Sequence, residues 1–188
     1  MPNINRLTQN YQNYVQLQWQ PNLSVYESIW FAVYPPEKER ALLQRLDAFE
    51  VATLEAGKAW RSIDLRGAYT KWLNQEDDDE RTEMFTTPKD LEFFAKEDFP
   101  EFLAEYISQH FTEVESPNNT VFAVYGLMEI YDYTEVSAVI ELLEDSLVGR
   151  LLVFFPGSKE DNTYRFMNAR KGWDYLAVCI DSSQDLFS

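Results

Sequence analysis

Cysteine and histidine are the residues that this sequence has least of. Its 188 residues include a single cysteine, Cys179, so no internal disulfide can form. With His110 as the only histidine, a zinc site would need mostly carboxylates, which suit harder ions instead. A cysteine nucleophile or a Ser-His-Asp triad would depend on the same histidine. The sequence therefore predicts no catalytic residue, no metal site and no cofactor.

Glycine is also scarce, and none of the six glycines forms a phosphate-binding motif. Loops that wrap phosphate need glycine amides, followed by lysine and a hydroxyl residue. The segment after the first predicted strand instead carries Pro35 and Pro36, which lack amide hydrogens, and Glu37 and Glu39, which repel phosphate. The sequence therefore disfavours nucleotide hydrolysis by the usual machinery.

Long apolar runs are missing as well. No stretch of this chain approaches the roughly 18 apolar residues that a membrane span requires. The first residues, 1–6, are mostly polar and have no apolar signal core. We therefore expect a protein without a membrane anchor, and the lone cysteine favours the reducing cytoplasm.

Acidic residues are abundant and unevenly placed. The chain has 32 acids against 16 bases, a formal net charge of −16, and residues 76–145 hold 20 of the acids with three of the bases. Such a region repels phosphate, so we expect no direct binding of nucleic acid or anionic membrane. Two interpretations stay open: the carboxylates solvate outer helix faces, or they form a docking face for a basic partner, with Asp77, Asp78 and Asp79 as candidates.

Apolar periodicity predicts an α/β fold. Runs with the composition of strands alternate with amphipathic segments typical of helices, and the predicted strands cover residues 28–34, 60–65, 120–127, 150–157, 164–167 and 175–180. Strands that are apolar on both faces and separated by helices indicate a mostly parallel sheet. We therefore expect a single three-layer α/β domain with a central sheet flanked by helices.

The domain should extend over residues 1–188, because a chain of this length buries roughly 70% of its unfolded surface. Within it, residues 1–24 are predicted to form an N-terminal helical extension, and a helix is predicted over 36–56. Residues 74–87 are predicted to be an exposed acidic loop. In a parallel sheet, a binding crevice is expected at the carboxyl ends of the strands.

Two arginines and two large aromatic residues cluster near the C-terminus. The candidates for partner binding here are Asn162, Tyr164, Arg165, Arg170 and Trp173. Arginine and aromatic residues are frequent anchors of protein interfaces. The alternative is that the rings close the end of the core while the arginines pair with nearby carboxylates. Because this segment is not acidic, it is expected to form a face that differs chemically from the acidic region.

The same segment carries a family resemblance. Residues 149–157, 161–165 and 169–178 resemble the C-terminal signature of the BrxB family of BREX (bacteriophage exclusion) systems. Residues 30–37 and 57–60 are similar to the N-terminal half of that family, so the resemblance spans nearly the whole chain. It is a resemblance of fold, and it transfers no catalytic residue.

The resemblance implies a cytoplasmic, non-catalytic assembly component of an antiphage complex. Its expected partners are a PglZ protein of the alkaline phosphatase superfamily and other BREX components, and a homo-oligomer is left open. One alternative is a degenerate P-loop-like module that responds to a nucleotide or a metal, with Asp64, Glu129 and Arg165 converging at the strand ends. Another alternative is an acidic DNA mimic, although helix periodicity explains most of the acids.

Overall fold

The computed structural model describes residues 3–75, 77–167, 169 and 171–183. Its helices are α1 Ile4–Val15, α2 Val25–Ser28, α3 Glu39–Leu43, α4 Leu46–Glu55, α5 Ala68–Leu73, α6 Asp78–Thr86, α7 Pro88–Thr112 and α8 Val136–Leu143. Its strands are β1 Ile29–Tyr34, β2 Ala59–Asp64, β3 Thr120–Tyr125, β4 Arg150–Glu160, β5 Thr163–Phe166, β6 Trp173–Asp174 and β7 Val178–Ile180. Short 3₁₀ turns cover Pro36–Lys38, Pro117–Asn119 and Leu127–Ile130.

The central sheet has the strand order β2-β3-β4-β1-β7, and each neighbouring pair along this path is parallel. Every residue of β1 is buried, and so are the first eight residues of β4. This burial on both faces explains why their sequences are continuously apolar. The end of β4 then pairs with β5, and β5 with β6, as an antiparallel extension. The prediction of a mostly parallel α/β sheet flanked by helices is confirmed.

One face of the sheet is covered by α5, α7 and α8. Phe31 of β1 stacks on Phe155 of β4 with ring centroids 5.3 Å apart, and both belong to the larger apolar core. From α7, Phe111 packs edge-on against Phe122 of β3 at 4.7 Å. Alternate residues of each strand point into this core, as the two-residue period of a strand requires.

The opposite face is covered by α1, α3 and α4. Phe49 of α4 lies between Tyr11 of α1 and Phe154 of β4, with ring centroids 5.2 Å and 4.9 Å away. Tyr11 is fully buried, and its hydroxyl is 2.6 Å from that of Thr53. The predicted N-terminal extension is therefore helical, and its helix α1 forms part of the core.

The predicted helix over 36–56 is divided. The 3₁₀ turn leads into α3, and a second helix, α4, starts at Leu46. In α4, Thr53 is buried and donates its hydroxyl to the carbonyl of Phe49 (2.8 Å), whereas Leu54 is 54% exposed. Gly57 follows with φ +73°, as expected for the residue after a helix.

The prediction of an acidic loop over 74–87 is wrong for most of its length, because residues 78–86 form α6. The Asp77 carboxylate accepts hydrogen bonds from the backbone amides of Asp79 (3.0 Å) and Glu80 (2.9 Å) and so caps this helix. Acids in the first turn also favour the positive end of the helix dipole. The segment is nevertheless exposed, since α6, described in full, buries none of its residues.

Candidate functional site

The parallel strands bring polar side chains together at their carboxyl ends, here called the carboxyl edge. Strands β1, β2 and β3 end there at Tyr34, Asp64 and Tyr125. The buried Tyr34 hydroxyl donates a hydrogen bond to the carboxylate of Glu39, at the start of α3. Arg66 donates to both oxygens of Asp64, with its Nη2 2.7 Å from Oδ2. The edge therefore carries two bonded pairs: Tyr34 with Glu39, which is partly buried, and Asp64 with Arg66, which is open to solvent.

The pKa values of the two carboxyls in these pairs shift in opposite directions. Burial raises the pKa of the Glu39 carboxyl; the Tyr34 hydrogen bond and Arg66 oppose this rise, and Glu129 adds to it. Burial also acts to raise the pKa of Asp64, but the hydrogen bonds from Arg66 outweigh it and hold that pKa below its usual value. Asp64 is therefore a stable anion at neutral pH, neutralised by its arginine.

Gly126 allows the Arg66 side chain to lie at this edge. Its φ is +81°, a backbone conformation that glycine adopts at no steric cost. A Cβ atom at this position would lie 2.8 Å from Cγ of Arg66. The guanidinium carbon then lies 5.6 Å from the ring centroid of Tyr125, within range of a cation–π contact.

Beyond the carboxyl edge, the end of β4, together with β5 and β6, forms an antiparallel unit, here called the C-terminal meander. Its strands approach closely at two glycines. A Cβ atom at Gly157 would collide with the carbonyl oxygen of Arg165, and one at Gly172 would collide with the Thr163 side chain. Gly157 and Gly172 lie in segments that carry the BrxB resemblance.

Tyr164 and Trp173 join the meander to the core. The side chain of Tyr164 is 1% exposed, contacts the Phe31 ring edge-on at 4.7 Å, and donates its hydroxyl to the carbonyl of Ala177 (3.0 Å). Trp173 stacks on Tyr175 with ring centroids 4.3 Å apart and is only partly buried. Tyr164 therefore supports the fold and is too buried to contact a partner, contrary to its prediction. Trp173 also packs against the core, but part of its side chain is exposed at the surface.

A cavity of about 510 Å³, here called the edge groove, lies between the meander and the segment leading into α8. Aromatic rings from both sides line it: Tyr131, Phe155, Tyr164, Phe166 and Trp173. Trp173 also lines a neighbouring cavity of about 670 Å³. Trp173 thus stands between two adjoining concave surfaces.

Several carboxylates and one lysine, Lys171, lie around these aromatic rings. The edge groove is lined by Asp132, Glu135 and Glu141, and the neighbouring cavity by Glu144 and Asp174 among others. The expectation that the C-terminal segment forms a face chemically different from the acidic region is therefore wrong at this groove, where its rings lie beside acids of that region. The reason is that α8 packs beside the meander, where the Tyr175 hydroxyl donates to the Glu144 carboxylate (2.7 Å).

The remaining C-terminal candidates occupy different places. Asn162 is exposed in the turn between β4 and β5 and lines the neighbouring cavity. Its backbone carbonyl accepts a hydrogen bond from the backbone amide of Tyr175 (3.1 Å). Arg165 lies on β5, with its Nε 3.9 Å from a carboxylate oxygen of Glu160. Arg170 lies outside the described residues.

At the carboxyl edge, Arg66 occupies the place that the sequence analysis assigned to Arg165. Arg66 pairs with Asp64, and both Arg66 and Glu129 influence the charge of Glu39. Sequence reasoning missed Glu39 and Arg66 as members of this cluster. Only the local spacing of Asp64 and Arg66, two residues apart with opposite charges, offered a signal in the sequence.

The acidic candidates lie at the start of α6. Asp77, Asp78 and Asp79 are all exposed. Asp77 caps the helix, and Asp78 pairs with Arg81 one turn later. At least two of these acids therefore have local structural partners.

Cys179 is buried in β7, and burial raises the pKa of its thiol to about 11. Such a thiol is protonated at neutral pH and is a weak nucleophile. Within the described ranges, no group of three or more His, Cys, Asp or Glu side chains is arranged to hold a metal ion. Among the helices of the described chain, none combines the length and apolar character needed to cross a bilayer.

Comparison with known proteins finds no match for this chain among family models, curated proteins or solved structures.

Proposed function

We propose that this chain is a cytoplasmic, non-catalytic interaction component of a BREX phage-defence complex, and that its edge groove binds the PglZ component. The observation that carries the proposal is the groove itself, an aromatic floor bordered by three carboxylates and Lys171 and built in part by the segments that resemble the BrxB family. Concave surfaces with aromatic anchors and a polar rim are typical of protein-binding sites. The chemistry of the groove suits a partner segment that carries both apolar and basic side chains.

Exposed side chains at the groove support this interpretation. Tyr131 is 40% exposed, and its ring lies edge-on to Phe166 at 5.3 Å. Leu176, next to the neighbouring cavity, is 66% exposed. Glu135 is exposed where the groove meets α8. These residues could be covered by a partner without rearrangement of the core.

The experiment is a pull-down from cells that express this chain with its neighbouring operon. Tyr131→Ser should lower the recovery of PglZ about tenfold, as expected for loss of one well-packed anchor. Leu142→Ser is the matched control, because Leu142 is 48% exposed on α8 and does not line the groove. The PglZ partner is ruled out if wild-type protein recovers no PglZ, and the phage-defence role is ruled out if deletion of its gene leaves phage restriction unchanged. Equal recovery of PglZ by Tyr131→Ser and Leu142→Ser would show that the groove is not the binding site.

A second candidate is a nucleotide-responsive module, favoured by the presence of Arg66 at the carboxyl edge of a parallel sheet. Three observations weigh against it: Pro35 and Pro36 supply no amide hydrogens, Glu39 lies beside them, and Asp64 already neutralises the arginine. A thermal-shift screen with nucleotides and divalent ions separates the two candidates. A ligand at 100 times its Kd would stabilise the fold by about 2.7 kcal/mol, and we expect no such shift.

A further inference from the structure

A second surface, away from the edge groove, exposes three phenylalanine side chains. Phe85 of α6 is 57% exposed, and Phe93 and Phe94 of α7 are 62% and 39% exposed. The rings of Phe93 and Phe94 meet edge-on at 5.9 Å. Isolated exposed apolar residues are common on proteins, but Phe93 and Phe94 are in contact, and Phe85 is exposed on the preceding helix, a concentration of rings of the kind found at interaction sites.

The patch borders a concave surface between the two helices. A cavity of about 410 Å³ is lined by Met84, Phe93 and Phe94 together with the acids Glu80, Glu83, Asp90 and Asp98. We call this the α6–α7 surface. None of residues 78–94, all of them described, is buried. This surface therefore contributes little to the core of the domain, and burial does not explain the aromatic residues on it.

The charge around the patch is strongly negative. Residues 77–98 contain nine acids and three bases. Two of the bases are already paired within their own helices, Arg81 with Asp78 and Lys96 with Glu92, the latter at 2.8 Å. Solvation of a helix face accounts for the acids but not for three exposed phenylalanines. A duplex DNA mimic would likewise gain nothing from them.

We propose that the α6–α7 surface is a docking site for a basic amphipathic helix of a protein partner. Apolar side chains on one face of such a helix would occupy the space between Met84, Phe93 and Phe94, as in other helix-in-groove complexes. Lysine or arginine on its flanks would face Glu80, Glu83, Asp90 and Asp98. A second copy of this chain is disfavoured because it would bring acid against acid, and an anionic membrane is repelled by the same charge.

The test uses the full-length protein and a synthetic amphipathic helix of leucine and lysine as the probe. Binding should weaken as salt is raised, and Phe93→Ser should weaken it about tenfold. Leu54→Ser is the matched control, because Leu54 is 54% exposed on α4, at a different part of the surface. We expect this control and Tyr131→Ser in the edge groove to bind the probe as the wild-type protein does.

Three results would overturn the proposal. Equal affinity of the probe for the Phe93→Ser and Leu54→Ser variants would show that the peptide follows net charge alone. Equal binding of a peptide of leucine and glutamate would show that the acids of the α6–α7 surface do not select a basic partner. Finally, sedimentation showing that the wild-type chain self-associates while the Phe93→Ser variant stays monomeric would identify a second copy as the occupant. Each result is independent of whether PglZ binds the edge groove.

Discussion

The edge groove and the α6–α7 surface both combine aromatic rings with carboxylates, but they differ in what holds the rings. In the groove, Trp173 stacks on Tyr175 and lies 5.9 Å from Phe31, a residue of the sheet. On the α6–α7 surface, Phe93 is mostly exposed and meets the ring of Phe94. Mutations in the groove should therefore mix folding with binding, whereas mutations on the α6–α7 surface should affect binding alone.

The largest effect should come from truncating the buried support of the groove. Tyr164→Ala removes the ring contacts with Phe31 (4.7 Å) and Phe155 (5.7 Å), as well as the hydrogen bond to Ala177. Large aromatic truncations in cores typically cost about 3–5 kcal/mol, and we expect a loss in that range by urea denaturation. A loss below about 1 kcal/mol would mean that the meander is not anchored by this residue.

The close approach of β4 and β5 gives the next effect. Gly157→Ala places a Cβ atom against the Arg165 carbonyl oxygen and 2.8 Å from the Phe155 ring. Overpacking of this kind costs about 1–3 kcal/mol, measured as a lower midpoint of urea denaturation. Ser158→Ala on the neighbouring, exposed position is the control and should change little. Equal stability of the two variants would show that the meander has room to separate.

The carboxyl edge should contribute a pH-dependent effect. Glu39→Ala leaves the buried Tyr34 hydroxyl without its acceptor, at a cost of about 1–3 kcal/mol. Glu39→Gln keeps an acceptor and should cost less. Because burial raises the folded-state pKa of Glu39 above its ordinary value of 4.5, the native state binds more protons just above that pH. Stability from this group is therefore fully present below pH 4.5 and is lost as the pH rises through the folded-state pKa.

Denaturation curves of the wild type and Glu39→Gln over mildly acidic pH check this sign. Their difference in unfolding free energy should shift in favour of the glutamine variant as the pH rises, since glutamine does not titrate. A constant difference across the range would contradict the burial of this carboxyl.

The smallest stability effect should come from the α6–α7 surface. Phe93→Ser should change the free energy of unfolding by no more than about 0.5 kcal/mol, since the side chain is 62% exposed. Thermal and urea unfolding check this directly. A large loss would mean that Phe93 supports the fold, and the contrast between the two surfaces would then disappear.

The sequence predicted the parallel sheet well because β1 and β4 are buried on both faces and their side chains are continuously apolar. It failed at α6, where a local cap at Asp77 stabilises a helix that has no apolar stripe. It also did not predict that α8 lies beside the meander, because that proximity depends on packing between distant segments. Tyr34 and Glu39 are only five residues apart, but their pairing depends on the turn that joins β1 to α3, which no sequence motif predicts.

We propose that a groove built in part by the C-terminal meander binds PglZ without catalysis by this chain. The most direct measurement is the amount of PglZ recovered with wild-type, Tyr131→Ser and Leu142→Ser proteins of equal stability from cells that express the neighbouring operon. We expect PglZ to be recovered with the wild type and with Leu142→Ser, and about tenfold less PglZ to be recovered with Tyr131→Ser. Equal recovery with all three proteins, or none with the wild type, would contradict it.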